Sequence, residues 1–332
     1  MRAAVIGAGS WGTTLADLLA RNGHTVRLWA REPEVVESVQ RRHENTLFLP
    51  DASLDPGLVA TGAVAEAVAG ADLIVSAPPS HAVRPIARQI AAALGNRQAL
   101  IVSVSKGLEP QTDHLLTHVL SEELPGREVV ALSGPSFARE VFERHPTALV
   151  AAARHAPAAE AAQQAFSNSQ LRVYTSGDIV GVQLGGALKN VIALAAGILV
   201  GLGAGFNTQA ALITRGLAEI ARLGSAMGAD PLTFAGLTGM GDLLLTATGT
   251  LSRNRSLGIE LAQGRRLSDI LAERRSVAEG VQTARTAVDL GERHGVELPI
   301  AREVTRVLFE NKPPRQAIQD LMERTLKAEQ WR

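Results

Sequence analysis

Cysteine is absent from all 332 residues, which removes disulfides, thiolate metal ligands and thiol nucleophiles together. That absence fits a reducing compartment. Surplus charge is absent too: Lys plus Arg and Asp plus Glu both number 33, so no net field draws the chain to nucleic acid or an anionic membrane. Any basic site must be local. Lysine is scarce, with only four among the 33 basic residues, at 106, 189, 312 and 327. Arginine keeps its proton near neutral pH, whereas lysine can be tuned to release it. Lys106 and Lys189 stand in apolar, glycine-rich settings and are candidates for proton chemistry. Lys312 in a Pro-flanked turn and Lys327 in a polar C-terminal helix read as surface solubility. The longest apolar run, 191–205, has about 15 residues where a membrane span needs roughly 20. It carries four glycines, with Lys189 and Asn190 at its entrance. A buried core helix packed through Gly197 and Gly201 is expected, and no membrane span. The first apolar run is broken by Gly7, Gly9 and Gly12 before it reaches signal-peptide length, so the expected location is cytoplasmic.

What is present divides the chain in two, as its length suggests. Apolar runs at 2–6, 25–29, 73–76, 100–104, 129–132 and 148–152 read as strands, with helical periodicity at 10–22 and 33–42 and Ala-rich helices between the later strands. Strands alternating with helices predict a parallel sheet covered on both faces. From about residue 178 the strand signals stop, and apolar helical segments run through 182–203, 208–227, 255–263, 282–293 and 300–309. The expected fold is α/β, with a Rossmann-like, doubly wound, mostly parallel sheet over 1–178 and an all-α domain over 179–332.

Gly7-Ala8-Gly9-Ser10-Trp11-Gly12 is a G-x-G-x-x-G pattern that directly follows a strand and opens a helix. The first glycine permits the sharp turn, the second lets the backbone approach a pyrophosphate, and the third lets helix and strand pack closely. The helix N-terminus then offers free N–H groups to phosphates. A plain turn is the bland alternative. An NAD-preferring site normally has a carboxylate at the end of the second strand, but this stretch reads Leu28-Trp29-Ala30-Arg31. Arg31 could pair with a 2′-phosphate, slightly favouring NADPH over NADH, or with Glu32 or Glu34 on the surface.

Lys106 leaves the carboxyl edge of the sheet after the strand 100–104, where open α/β folds bind ligands. Gly134 and Ser136, in Ser133-Gly134-Pro135-Ser136-Phe137-Ala138, leave the same edge. In the helical half, Lys189 inside Gly185-Gly186-Ala187-Leu188-Lys189-Asn190 must face a polar cavity or partner, because burying an unpaired amine is costly. Asp242 follows Gly239-Met240-Gly241. Ser252, Arg253 and Asn254 open a helix and read as an anion site, the guanidinium binding a phosphate bidentately. His114 and His118 are spaced to share a helix face, yet no third ligand is evident in sequence, and no metal is expected.

The segments GAGSWGTTLA, SKGLE, LSGPSFARE, GALKNVIALAAGI, NTQAALITRGLAEI, GLTGMGDLLLT, LSRNRSLG and AEGVQTA, in this order over residues 7–284, resemble the motifs of the NAD(P)-dependent sn-glycerol-3-phosphate dehydrogenase family. The resemblance implies reversible reduction of dihydroxyacetone phosphate to sn-glycerol 3-phosphate, feeding glycerophospholipid synthesis. It implies cofactor contacts from Ser10, Trp11, Arg31, Lys106, Ala138, Arg253, Val277 and Glu279. It implies substrate contacts from Lys106, Gly134, Ser136, Lys189, Asp242, Ser252, Arg253 and Asn254, with Lys189 as acid/base, and a possible homodimer. Phe206 departs from the pattern, which has Asp before the Asn. A reductase of another small keto or hydroxy acid and a non-catalytic dinucleotide sensor stand as the alternatives.

Overall fold

The computed structural model describes residues 1–110, 112–274, 278–326 and 328–329. Its first half is an eight-stranded sheet with one two-stranded hairpin beside it. The strands are β1 (Arg2–Ile6), β2 (Thr25–Trp29), β3 (Glu44–Asn45), β4 (Leu49–Ser53), β5 (Val59–Thr61), β6 (Leu73–Ser76), β7 (Leu100–Ser103), β8 (Val129–Ser133), β9 (Thr147–Ala152) and β10 (Leu171–Ser176). Their order in the large sheet is β10-β9-β8-β7-β6-β1-β2-β5, with β3 and β4 forming the hairpin. Every pairing in the large sheet is parallel except β8 with β9. The order reverses between β1 and β6, the crevice at which doubly wound sheets take their ligands.

Strand residues alternate between two cores, as the period of two requires. Val5, Leu73, Val75 and Val102 pack on one face against α1 (Ser10–Arg21), α2 (Pro33–Arg42) and α7 (Ala156–Phe166). Ala4, Ile6, Ile74 and Ile101 pack on the other against α3 (Val64–Val68), α4 (Val83–Leu94) and α5 (Leu116–Glu123). The short α6 (Ala138–Phe142) follows β8.

After Ser176 the described residues form helices: α8 (Ile179–Gly201), α9 (Phe206–Ala226), α10 (Pro231–Ala235), α11 (Asp242–Thr248), α12 (Arg253–Ala262), α13 (Leu267–Glu273), α14 (Glu279–Arg293), α15 (Pro299–Phe309) and α16 (Pro314–Met322). A wide single turn over Leu237–Gly241 runs into α11. The hub is α8. Asp178 starts it by accepting from the Gly181 N–H at 2.8 Å, and its other oxygen accepts from the Thr233 hydroxyl at 2.6 Å, which ties α10 to the same point. Gly197 is required because a Cβ there would lie 2.0 Å from the Arg255 carbonyl oxygen, so α8 and α12 meet backbone to backbone.

Several expectations need correction. At 23 residues α8 is long enough to cross a membrane, so shortness was the wrong ground for setting that reading aside; 89% of its most apolar window is buried inside the protein, as a core helix requires. Four strands, β3, β4, β5 and β10, were not expected from the sequence, and none carries a continuous apolar run. Lys312 is not a surface lysine: its side chain is tucked against α15 and α16, bonded to Glu303 and, at 2.5 Å, to Asp320. Lys327 and Val277 lie outside the described residues. His114 precedes α5 instead of sharing its face with His118, and Glu122 does supply a third potential metal donor. That Glu122 carboxylate also pairs with Arg84 at 2.8 Å.

Candidate active site

The register of the central strands aligns Ile6 with Ser76 and Ser76 with Ser103, so the chain leaves β1, β6 and β7 along one edge. The glycine turn sits there. Gly7 has φ 119°, and a Cβ on it would lie 2.8 Å from the Ala77 backbone; a Cβ on Gly12 would lie 1.9 Å from the Gly7 carbonyl oxygen. Gly9 faces open space, with nothing within 4 Å of where its Cβ would stand. The first turn of α1, beginning at Ser10, has no side-chain cap, so its N–H groups are left for an incoming anion. Trp11 Nε1, Ser76 Oγ and Ser133 Oγ are buried without a hydrogen-bond partner. A tight turn with an open middle glycine, an uncapped helix start and orphaned donors nearby is a cradle whose chemistry fits a dinucleotide.

Helix α8 abuts this edge. A Cβ on Gly186 would lie 2.7 Å from Ser133 Oγ and 3.8 Å from the Lys106 side chain. One turn further along α8, Lys189 is buried among apolar neighbours and bonds to Asp242 Oδ1 and, at 2.8 Å, to Thr246 Oγ1. Lys106 reaches across from the sheet and donates to the other oxygen of the same carboxylate, Asp242 Oδ2, at 2.8 Å, and to the Gly134 carbonyl at 2.8 Å. Ser136 Oγ lies 3.3 Å from Lys106 Nζ. One fully buried aspartate therefore joins an amine from each half of the chain. Burial pushes the Lys189 pKa down to about 7; the Asp242 charge opposes this and the Lys106 charge assists it. An amine in that range can give up a proton or take one at neutral pH.

The anion cluster lies at the start of α12. Ser252 Oγ caps the helix by accepting from the Arg255 N–H at 3.2 Å. Asn254 is committed within the protein, donating to Asn190 Oδ1 at 2.9 Å and accepting from the Gly280 N–H at 3.0 Å. It thus positions α8 and α14, which differs from the free phosphate cradle expected from sequence. Burial lowers the pKa of Arg253, and the charge of Glu279 opposes this. Glu279, at the start of α14, accepts from both the backbone and the hydroxyl of Ser80. Ala138 starts α6, where its carbonyl accepts from Thr14 at 3.2 Å. Arg31 is 81% exposed and pairs with Glu32 at 2.6 Å, the surface alternative of its two readings. Phe206 stands 86% exposed at the start of α9.

Thr246, Asn190 and Ser80 were not singled out in sequence. Thr246 follows Asp242 by one helical turn, the i, i+4 spacing that places both on one face, and that spacing is the signal that could have found it.

Two family models match consecutive parts of the chain: the NAD-dependent glycerol-3-phosphate dehydrogenase N-terminus over residues 2–159 and the C-terminus over 178–319. A glycerol-3-phosphate dehydrogenase [NAD(P)+] of Geobacter sp. (strain M21) is 55% identical over 98% of this chain and 98% of its own length. That of Geobacter sulfurreducens is 54% identical over 99% of each chain. The crystal structure of the glycerol-3-phosphate dehydrogenase from Coxiella burnetii superposes with a TM-score of 0.93 at 36% identity, over 97% of this chain and 99% of that one. With matches of this identity spanning both halves, the chain belongs to the NAD-dependent glycerol-3-phosphate dehydrogenase family and is an NAD(P)-dependent oxidoreductase.

Proposed function

We propose that this protein reversibly reduces dihydroxyacetone phosphate to sn-glycerol 3-phosphate, with Lys189 as general acid and base, in a dinucleotide-binding domain over 1–178 and a catalytic domain over 179–332. The observation that carries this is the amine of Lys189, held by Asp242 and Thr246 against Lys106 from the opposite half. A reduced dinucleotide held through its pyrophosphate at the glycine turn would supply the hydride. Hydride addition builds negative charge on the ketone oxygen, and protonated Lys189 stabilises that charge and delivers the proton. In the reverse direction neutral Lys189 removes the proton from the alcohol. Lys106, with Gly134 and Ser136, places the ketone end. Arg253, with Ser252 and the first turn of α12, takes the phosphate. Gly7, Gly9, Ser10, Trp11 and Gly12 would hold the pyrophosphate of the cofactor, and Ala138, Arg253 and Glu279 would contact it further along.

Arg31 serves NADPH by exchanging its contact with Glu32 for a 2′-phosphate, because a double negative charge outcompetes a single carboxylate. The setting is cytoplasmic, the product serves glycerophospholipid synthesis, and the assembly is a homodimer. Loss of reduced-cofactor absorbance on adding dihydroxyacetone phosphate, followed with NADPH and NADH in parallel, tests activity and preference together. Lys189→Ala should lower turnover by about 10² to 10⁴-fold with NADPH affinity kept. Near-parental turnover in that variant removes Lys189 from the role. A phosphate-free ketone reduced as well as dihydroxyacetone phosphate removes the anion site.

A further inference from the structure

Ser80 and Glu279 lie 199 residues apart, on the loop after β6 and at the start of α14. The Ser80 N–H donates to one oxygen of the Glu279 carboxylate at 3.1 Å and its hydroxyl donates to the other at 2.6 Å. Ser80 is buried, and a third segment closes over the pair. Gly107, next to Lys106, has φ 159°, and a Cβ there would lie 3.0 Å from the Ser80 Cβ and 3.1 Å from Glu279 Oε2. Glycine is what allows the Lys106 loop to rest on this contact. On its far side, the N–H of Gly280 is held by Asn254, which also holds Asn190. Hydrogen bonds on either side of the Glu279–Gly280 backbone therefore tie the substrate end of α8, through Asn254 and the first turn of α14, to the sheet half.

A carboxylate has about four lone-pair sites, and the two bonds from Ser80 use one on each oxygen. The remaining two have a direction fixed by those bonds. We propose that Ser80 is a positioning residue for the dinucleotide, orienting the Glu279 carboxylate across the cleft so that its remaining lone pairs serve the cofactor. This rests on the reading, given above, that Glu279 borders the cofactor. Ser80 itself acts only through Glu279.

NADPH binding without substrate, measured by titration calorimetry, tests it. Ser80→Ala should weaken NADPH about 5- to 20-fold, the effect of losing one charge-assisted hydrogen bond. Glu279→Ala should weaken it at least as much, and the double variant should bind no worse than Glu279→Ala alone. In steady state the loss should fall on the KM for NADPH, with kcat at saturating cofactor reduced less than about threefold. Ser80→Thr and Ser80→Val, equal in shape and differing in the hydroxyl, form a second comparison in which Thr should bind NADPH about tenfold more tightly. Full affinity in Ser80→Ala beside a weakened Glu279→Ala, additive losses in the double variant, or equal affinities for the Thr and Val forms would each overturn the role of Ser80. Full affinity in Glu279→Ala would instead remove Glu279 from the cofactor site, and this inference with it.

Discussion

Replacing Asp242 with asparagine should move the pH dependence of ketone reduction toward acid. Burial holds Lys189 at about 7, and of the groups that raise its pKa the Asp242 charge is the largest. Without that charge, burial and the Lys106 ammonium act unopposed. Two unit charges about 4 Å apart at an effective dielectric near 20 interact by about 4 kcal/mol, equivalent to roughly three pKa units. Thr246 stays within 2.8 Å of the amine and local relaxation returns part of the loss, so the expected drop is about one to two units. The sign follows from the role. Reduction consumes the protonated form, so its rate is high below the Lys189 pKa and falls above it; alcohol oxidation behaves inversely. At pH 7 about half of the parent amines are charged, against about 3% for a pKa near 5.5, a fall of about 15-fold in the reduction rate that should recover as the pH is lowered. Initial rates of NADPH consumption at limiting dihydroxyacetone phosphate, from about pH 5 to 9, follow kcat/KM and give the midpoint of the substrate-free enzyme. An unmoved midpoint in Asp242→Asn, or the same limb persisting in Lys189→Ala, refutes the assignment.

Arg253→Ala should raise the KM for dihydroxyacetone phosphate by about 10²-fold or more and flatten its dependence on salt, read from initial rates at two ionic strengths. Gly197→Ala forces a methyl to 2.0 Å from the Arg255 carbonyl and should cost about 2 to 4 kcal/mol in denaturant unfolding; unchanged stability would mean that α8 and α12 are not in backbone contact. Glu219 is buried, and that burial raises its pKa to about 7 against bonds from the Ile300 and Ala301 N–H groups. Because the folded pKa is raised, its favourable contribution is complete below the unfolded carboxylate pKa and is lost as pH rises through 7. Glu219→Gln should therefore be more stable than the parent at pH 8 by about 2 kcal/mol, with the gap closing toward pH 4, as followed by thermal unfolding.

The central strands and the two lysines were legible because each is a local signal. Val5, Ile74, Val102 and Val130 sit in continuous apolar runs, as strands buried on both faces must. The edge strands were not, for equally local reasons. β5 has three residues and β4 contains Pro50 and an Asp51 at φ 58°, whereas β10 does alternate buried Leu171 and Val173 with exposed neighbours, a period-two signal that a search for continuous apolar runs passes over. The antiparallel setting of β9 depends on the path between β8 and β9, which apolar periodicity does not encode. Within the site, sequence placed Lys189 in need of a partner but could not supply one. Asp242 and Thr246 stand 53 and 57 residues away, Lys106 meets Asp242 across 136, and such separations are closed only by the fold. Asn254 was recognised as a polar group facing a ligand, yet it is engaged with protein neighbours, and of the two readings open for Arg31 the pairing with Glu32 is the one seen.

Because Asp242 is shared by Lys106 and Lys189, the trio carries one positive charge in excess whenever both amines are protonated. A phosphate monoester brings between one and two negative charges, and it can supply the counterion that the protein has withheld. Its arrival would draw the Lys189 pKa upward, refilling the proton donor at the moment a ketone is present to receive the proton. Departure of the product would let that pKa fall back, so the substrate's own charge would set the readiness of the acid.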